Sequence, residues 1–227
     1  MVYLENISQI YRTQHYEVKP LSEVSLQVKP NEFVVVLGPS GSGKTTLLLT
    51  IGGMLRPTEG RVIVDKKEIY KMSERARAKF RAANIGFVFQ MFYLVPYLNV
   101  IENVLLAFTL EKGDRGDFRT KQQVKRTEAK GLLKRLRLSE REHHKPSELS
   151  TGEQQRTAVA RAMFNRPKII LADEPTGNLD PENATEVIGY LSEFHRNGGT
   201  VIVATHGRIA DQYADRIIHL REGRVED

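Results

Sequence analysis

A chain of 227 residues with a formal charge of +6 and no cysteine has room for one large α/β domain, or a core with an inserted subdomain, and no material for disulfides or thiolate metal sites. No apolar run is long enough to cross a bilayer, and Met1–Ile10 mixes charged and polar residues where a secretion signal needs an apolar core. Work at a membrane would therefore fall to a peripheral chain held by a partner.

The opening section, residues 2–64, reads as strands around a loop. Ser25–Val28, Phe33–Leu37 and Gly60–Val64 are β-rich and separated by turns at Pro30-Asn31 and Pro57-Thr58-Glu59-Gly60. Directly after Phe33–Leu37 stands Gly38-Pro39-Ser40-Gly41-Ser42-Gly43-Lys44-Thr45, followed by helix-like Thr46–Ile51. A strand, a glycine-rich turn and a helix start aim successive N–H groups and the helix dipole at one spot, which makes a phosphate site. Lys44 then reaches the β- and γ-phosphates, and the Thr45 hydroxyl is a ligand for Mg²⁺. Only one such loop occurs, so a second ATP site, where one is needed, comes from another chain.

Helical patterns dominate from Ser73 to Asn165, broken by an apolar strand at Ile85–Phe89. Gln90 follows that strand, where its amide oxygen can join a Mg²⁺ shell or serve as an ordinary loop residue. Phe92 to Tyr97 are unusually apolar for a connection; they either pack under the helical segment or form a groove for a partner's helix. From Arg119 to Arg137 eight Lys or Arg residues accompany one acid, Glu128, with Val124, Leu132, Leu133 and Leu136 suited to one helical face. That stretch is either a solvated helix face or an attractor for anionic lipid or an acidic partner. Nothing beyond charge points to nucleic acid. Ser150 and Glu153, in Leu149-Ser150-Thr151-Gly152-Glu153-Gln154-Gln155-Arg156, have the spacing of a capping box ahead of a helical stretch, Gln155–Asn165.

Two short apolar runs, Ile169–Ala172 and Thr200–Ala204, flank an amphipathic helix at Asn183–His195 and imply a parallel sheet with a crossover. The first run ends on Asp173 and Glu174, at the edge where open α/β sheets bind ligands. Asp173 suits Mg²⁺ held through water, and Glu174 suits polarising the water that attacks a γ-phosphate. His206 follows the second run and is placed to contact that phosphate.

Taken together, these residues resemble the ATP-binding subunit of an ABC transporter over essentially the whole chain. The resemblance implies an α/β P-loop NTPase core with an N-terminal antiparallel β subdomain and an inserted helical subdomain: residues 1–90 and 166–227 as core and 91–165 as the insert, within a single domain. Gly38–Thr45 resembles the Walker A loop, with Gly38, Ser40, Gly41, Ser42, Gly43, Lys44, Thr45 and Thr46 as expected ATP contacts. Gln90 resembles the Q-loop glutamine, Ile169–Glu174 the Walker B strand and its acid, Asn178-Leu179-Asp180 the D-loop, and His206 the switch histidine. The resemblance implies Thr45, Gln90 and Asp173 around Mg²⁺, and Tyr11, with Tyr16 as second choice, stacked on adenine. Leu149–Gln154 resembles the signature motif, with Thr151 and Glu153 departing from its usual glycine and glutamine; Ser150, Gly152 and Glu153 are implied to act on the nucleotide of a second copy. The stretches Gly38–Thr46, Ile85–Val104 and Leu171–Asp180 are similar to the branch serving lipoprotein release and macrolide or antimicrobial-peptide export. Expected partners are a second copy, a permease helix near Gln90–Tyr97 and no nucleic acid, with the chain on the cytoplasmic face of the inner or plasma membrane. A soluble ABC ATPase acting on DNA or ribosomes is the alternative, but the sequence has neither sustained heptads nor a second cassette. A P-loop kinase or small GTPase leaves the Leu149–Arg156 run unexplained.

Overall fold

The computed structural model describes residues 1–12, 16–108 and 118–226. Two sheets organise them. Strands β1 (Val2–Arg12), β2 (Glu17–Val28), β4 (Glu59–Val64) and β5 (Lys67–Glu68) form a four-stranded antiparallel sheet in the order β2-β1-β4-β5. The strand expected at Ser25–Val28 extends back to Glu17. Pro20 argues against a strand in sequence, yet β2 lies at the sheet edge, where proline is tolerated. Val24, Leu26 and Val28 alternate inward as a half-buried strand requires, and Leu21 joins the same face across a register shift at Glu23 (φ 55°).

The second sheet has six strands in the order β10-β9-β3-β8-β7-β6: β3 (Phe33–Leu37), β6 (Ile85–Phe89), β7 (Ile169–Asp173), β8 (Thr200–Thr205), β9 (Arg216–Arg221) and β10 (Arg224–Glu226). All neighbours are parallel except β9 and β10. The continuous apolar runs of β3, β7 and β8 are buried on both faces, the environment such runs need. The register levels the carboxyl ends: Leu37 pairs with Thr205, and Asp173 with Ala204 and Phe89. The glycine-rich loop, Gln90, Glu174 and His206 therefore emerge along one edge.

Alternate strand residues feed two cores. Val34, Val36 and Ile202 join helix α1 (Lys44–Ile51) and the antiparallel sheet, whereas Val35, Ile170 and Val203 face the other helices. Those helices are α3 (Val100–Leu105), α4 (Phe118–Arg135), α5 (Thr151–Met163) and α6 (Pro181–Arg196), while α2 (Glu74–Asn84) sends Phe80 to the first core. Helix α5 starts at Thr151, four residues earlier than the sequence pattern placed it, because Ser150 caps it.

The apolar face expected on α4 holds at Leu133 and Leu136 but not at Val124, which is exposed. Ala129 is the buried residue one turn before Leu133, and Val124, five positions earlier, falls about 140° round the helix from it. The basic side chains Lys125, Lys130, Arg135 and Arg137 are each committed to a carboxylate: Glu128 (2.7 Å), Glu142 (3.0 Å), Glu193 (2.9 Å) and Glu186 (3.4 Å). This favours the solvated-face reading over attraction of an anionic partner.

Candidate active site

The glycine-rich loop is wedged between the two sheets. Gly43 caps α1 in the left-handed region (φ 103°), and a Cβ on it would lie 2.0 Å from the Pro20 carbonyl oxygen of β2. A Cβ on Gly38 would lie 2.2 Å from the Leu220 carbonyl oxygen of β9. Only glycine satisfies both sites. No side chain caps α1, so its first N–H groups are turned toward the loop for an anion. Ser42 is buried with its Oγ unpartnered, while Ser40, Gly41 and Thr45 are exposed and Thr46 is half-buried. Lys44 is 6% exposed; its Nζ donates to the carbonyls of Gly38 (2.7 Å) and Pro39 (3.1 Å) and lies 3.5 Å from Glu174 Oε1.

Glu174 is the hub of the acidic edge. His206 Nδ1 lies 2.9 Å from its Oε1, and the Thr205 hydroxyl donates to its Oε2 at 3.0 Å. Its backbone is left-handed at φ 45°, an unusual state for a non-glycine residue, fixed by its N–H donating to the Ala204 carbonyl at 2.8 Å. Asp173 is one residue inward. Burial raises its pKa, the Thr45 hydroxyl pulls it back, Glu174 adds to the rise and Lys44 opposes it. Its Oδ1 is buried without a partner.

The unpartnered Asp173 Oδ1, on a carboxylate that the Thr45 hydroxyl also contacts, fits a hard cation that takes its remaining ligands from phosphate and water. Among the described residues no cluster of three His, Cys, Asp or Glu side chains forms a self-sufficient metal cage. Gln90 is engaged elsewhere: its Nε2 donates to Asn178 Oδ1 at 3.5 Å, and Asn178 Nδ2 donates to the Gln90 carbonyl at 3.3 Å. Tyr11 and Tyr16 are exposed near the β1–β2 connection.

Ser150 caps α5 with the expected box: its Oγ accepts from Glu153 N (3.2 Å), and Glu153 Oε2 accepts from Ser150 N (2.8 Å). Glu153 Oε1 accepts from Arg141 Nε at 2.8 Å. These bonds outweigh the opposing effect of burial and lower the Glu153 pKa. Gly152 is buried against this chain's own α6, where a Cβ would meet Asn183 Oδ1 at 2.3 Å. Asn183 is held in turn by Asp180, which caps α6, and by Arg156, 3.0 Å from its Oδ1. Asp180 and Gly152 thus meet through Asn183, a residue sequence reasoning missed although its position three after Asp180 is a capping pattern. Thr205 was missed as well, and a lone threonine at a strand end carries no signal.

A cleft of 1090 Å³ opens at the other end of the sheet, among Met1, Leu132 and Phe194. Its Arg135 and Lys168 are already paired with Glu193 and Asp65. It contains none of the residues above.

A family model described as ABC transporter matches residues 21–177. The lipoprotein-releasing system ATP-binding protein LolD 2 of Caulobacter vibrioides is 40% identical over 98% of this chain and 95% of its own length. The macrolide export ATP-binding/permease protein MacB of Chlorobaculum tepidum is 41% identical over 100% of this chain, which spans 34% of that protein. Among solved structures, the dimeric ABC transporter cassette MJ0796, from Methanocaldococcus jannaschii, superposes with a TM-score of 0.91 at 40% identity, covering 100% of this chain and 97% of that one. The same cassette in a dimeric post-hydrolysis state with ADP and Pi gives 0.89 at 38% identity, with the same coverage.

Proposed function

Since the chain belongs to the ABC transporter family as an ATP-binding, ATP-hydrolysing subunit, we propose that two copies close head to tail around ATP and drive a permease in export or cell-envelope handling. The observation that carries this reading is the convergence of Lys44, Glu174, Thr205 and His206 on one sheet edge. The relatives LolD 2 and MacB, named for lipoprotein release and macrolide export, support the branch.

In this mechanism Lys44 exchanges its carbonyl partners for the β- and γ-phosphates, and the free N–H groups at the start of α1 hold the phosphate oxygens. Gly38, Ser40, Gly41, Ser42, Gly43, Thr45 and Thr46 line that cradle. Once Lys44 turns to phosphate, Glu174 is free to accept a proton from the attacking water. Thr205 fixes one Glu174 oxygen and His206 the other, so the carboxylate presents a single orientation. When bound, Mg²⁺ would neutralise charge developing on the phosphate oxygens, with Thr45 and Asp173 as its protein partners and Gln90 joining on release from Asn178.

Ser150, Gly152 and Glu153 face the nucleotide of the second copy, with Arg141 keeping the Glu153 carboxylate paired. Tyr11 stacks on the adenine. Residues 91–165 act as the helical insert in a core formed by 1–90 and 166–227. Among the described residues no helix is long and apolar enough to cross a membrane. In this reading the chain is held peripherally at the cytoplasmic face by its permease, as its LolD and MacB relatives support. The docking surface is the turn after Gln90, where Tyr93 and Tyr97 are 64% and 75% exposed.

The test is the light-scattering mass of the Glu174→Gln variant with and without MgATP. This variant keeps the nucleotide site but loses the base, so its mass should double only with nucleotide. A monomer at saturating MgATP would overturn the pairing.

A further inference from the structure

The turn after Gln90 contains two consecutive bulky residues in the left-handed region, Phe92 (φ 53°) and Tyr93 (φ 47°). Neither is a residue type that adopts this conformation without being held there. The holder is Arg161 on α5: its Nη2 donates to the Phe92 carbonyl and its Nη1 to the Tyr93 carbonyl, each at 2.6 Å. Burial lowers the Arg161 pKa, and among the described residues no carboxylate pairs with it. Its guanidinium fork is spent on two backbone oxygens, a geometry its fixed planar donors suit.

The other end of α5 grips the acidic edge. Gln155, fully buried, donates through Nε2 to the carbonyl of Pro175, the residue after Glu174. One helix therefore touches both the segment that carries Glu174 and the turn that presents Tyr93.

We propose that Arg161 is a positioning residue that locks the docking turn to α5, so that a shift of α5 on nucleotide binding is delivered to the turn. The inference deepens the proposed function and rests on it for the identity of the nucleotide. The turn is a strained element held by a single side chain, so its conformation depends on where α5 places that side chain. Arg161 itself touches none of the phosphate-edge residues.

The chain has no tryptophan, so Met91→Trp, an exposed position beside the clamped pair, supplies a single reporter. In a Glu174→Gln background, MgATP should shift its emission. Arg161→Ala should cut that amplitude by at least about twofold, while MgATP affinity, read by equilibrium dialysis, stays unchanged. Arg161→Lys, with one ammonium for two carbonyls, should give an intermediate amplitude and keeps the test open if the alanine variant does not fold. Full amplitude in either folded variant, or no emission shift in the reporter despite MgATP binding, overturns the role of Arg161. Failure of the parent to bind MgATP would instead overturn the nucleotide-site reading.

Discussion

Burial raises the Asp173 pKa against the pull of the Thr45 hydroxyl and the Lys44 ammonium, so ionising this carboxyl is unfavourable in the folded, ligand-free chain. The sign follows from linkage: an acid whose folded pKa lies above its unfolded one contributes stability below the unfolded value and loses it as pH rises through the folded value. Asp173→Asn removes that loss. The ligand-free variant should melt higher than the parent at pH 7, the difference closing toward about pH 4, where the unfolded aspartate itself titrates. Its stabilisation by MgATP should shrink, since the carboxylate charge that would face the cation is gone. A lower melting temperature at pH 7 would show that Asp173 is instead a net stabiliser. The sequence made Asp173, Glu174 and His206 legible because each ends an apolar run, and the level register of β7 and β8 does the rest. It could not disclose Thr205, whose role arises from where two strands end relative to each other.

At the scale of elements, α5 and α6 meet at a close contact. An alanine Cβ at position 152 would displace an Asn183 side chain held by Asp180 and Arg156. Gly152→Ala should therefore destabilise by about 1–3 kcal/mol, despite the better helix propensity of alanine. Adding Asn183→Ala should return most of that loss in chemical denaturation. Strictly additive effects of the two changes would refute the contact. The Ser150–Glu153 capping box, the buried parallel strands and most of α6 were readable because their signals are local. Val124 and the start of β2 were misread because helix phase over several turns and the edge position of a strand are set by tertiary neighbours. For the same reason the close packing of Gly152 on Asn183 of its own chain was not readable.

For the whole molecule, the phosphate loop joins the two sheets, with Pro20 of one and Leu220 of the other pressed against its glycines. Ser22 N donates to the Gly223 carbonyl and Gly223 N to the Ser42 carbonyl, both spanning the same junction. A ligand in the loop should stabilise both sheets together. At a hundredfold excess over Kd, binding is worth about 2.7 kcal/mol, a melting shift of about 5–10 °C for a chain of this size. Calorimetry of Glu174→Gln with MgATP should show one transition moving by that amount; a second transition left in place would mean the sheets unfold separately. The sequence showed that one loop exists per chain, but not that it is the keystone between sheets, because the carbonyls pressing on it belong to residues far apart in the chain.

In the proposed head-to-tail pair, each nucleotide would lie between one copy's loop and the Ser150–Gly152 segment of the other. An allele encoding Gly152→Ala would cost its own chain stability at the Asn183 contact, yet the copies that fold would keep their loop intact and spoil what they present to a companion. Mixed pairs would form and stall, drawing normal copies out of service. Such an allele would act dominantly when co-expressed with the normal gene, whereas a deletion of the whole chain would be recessive.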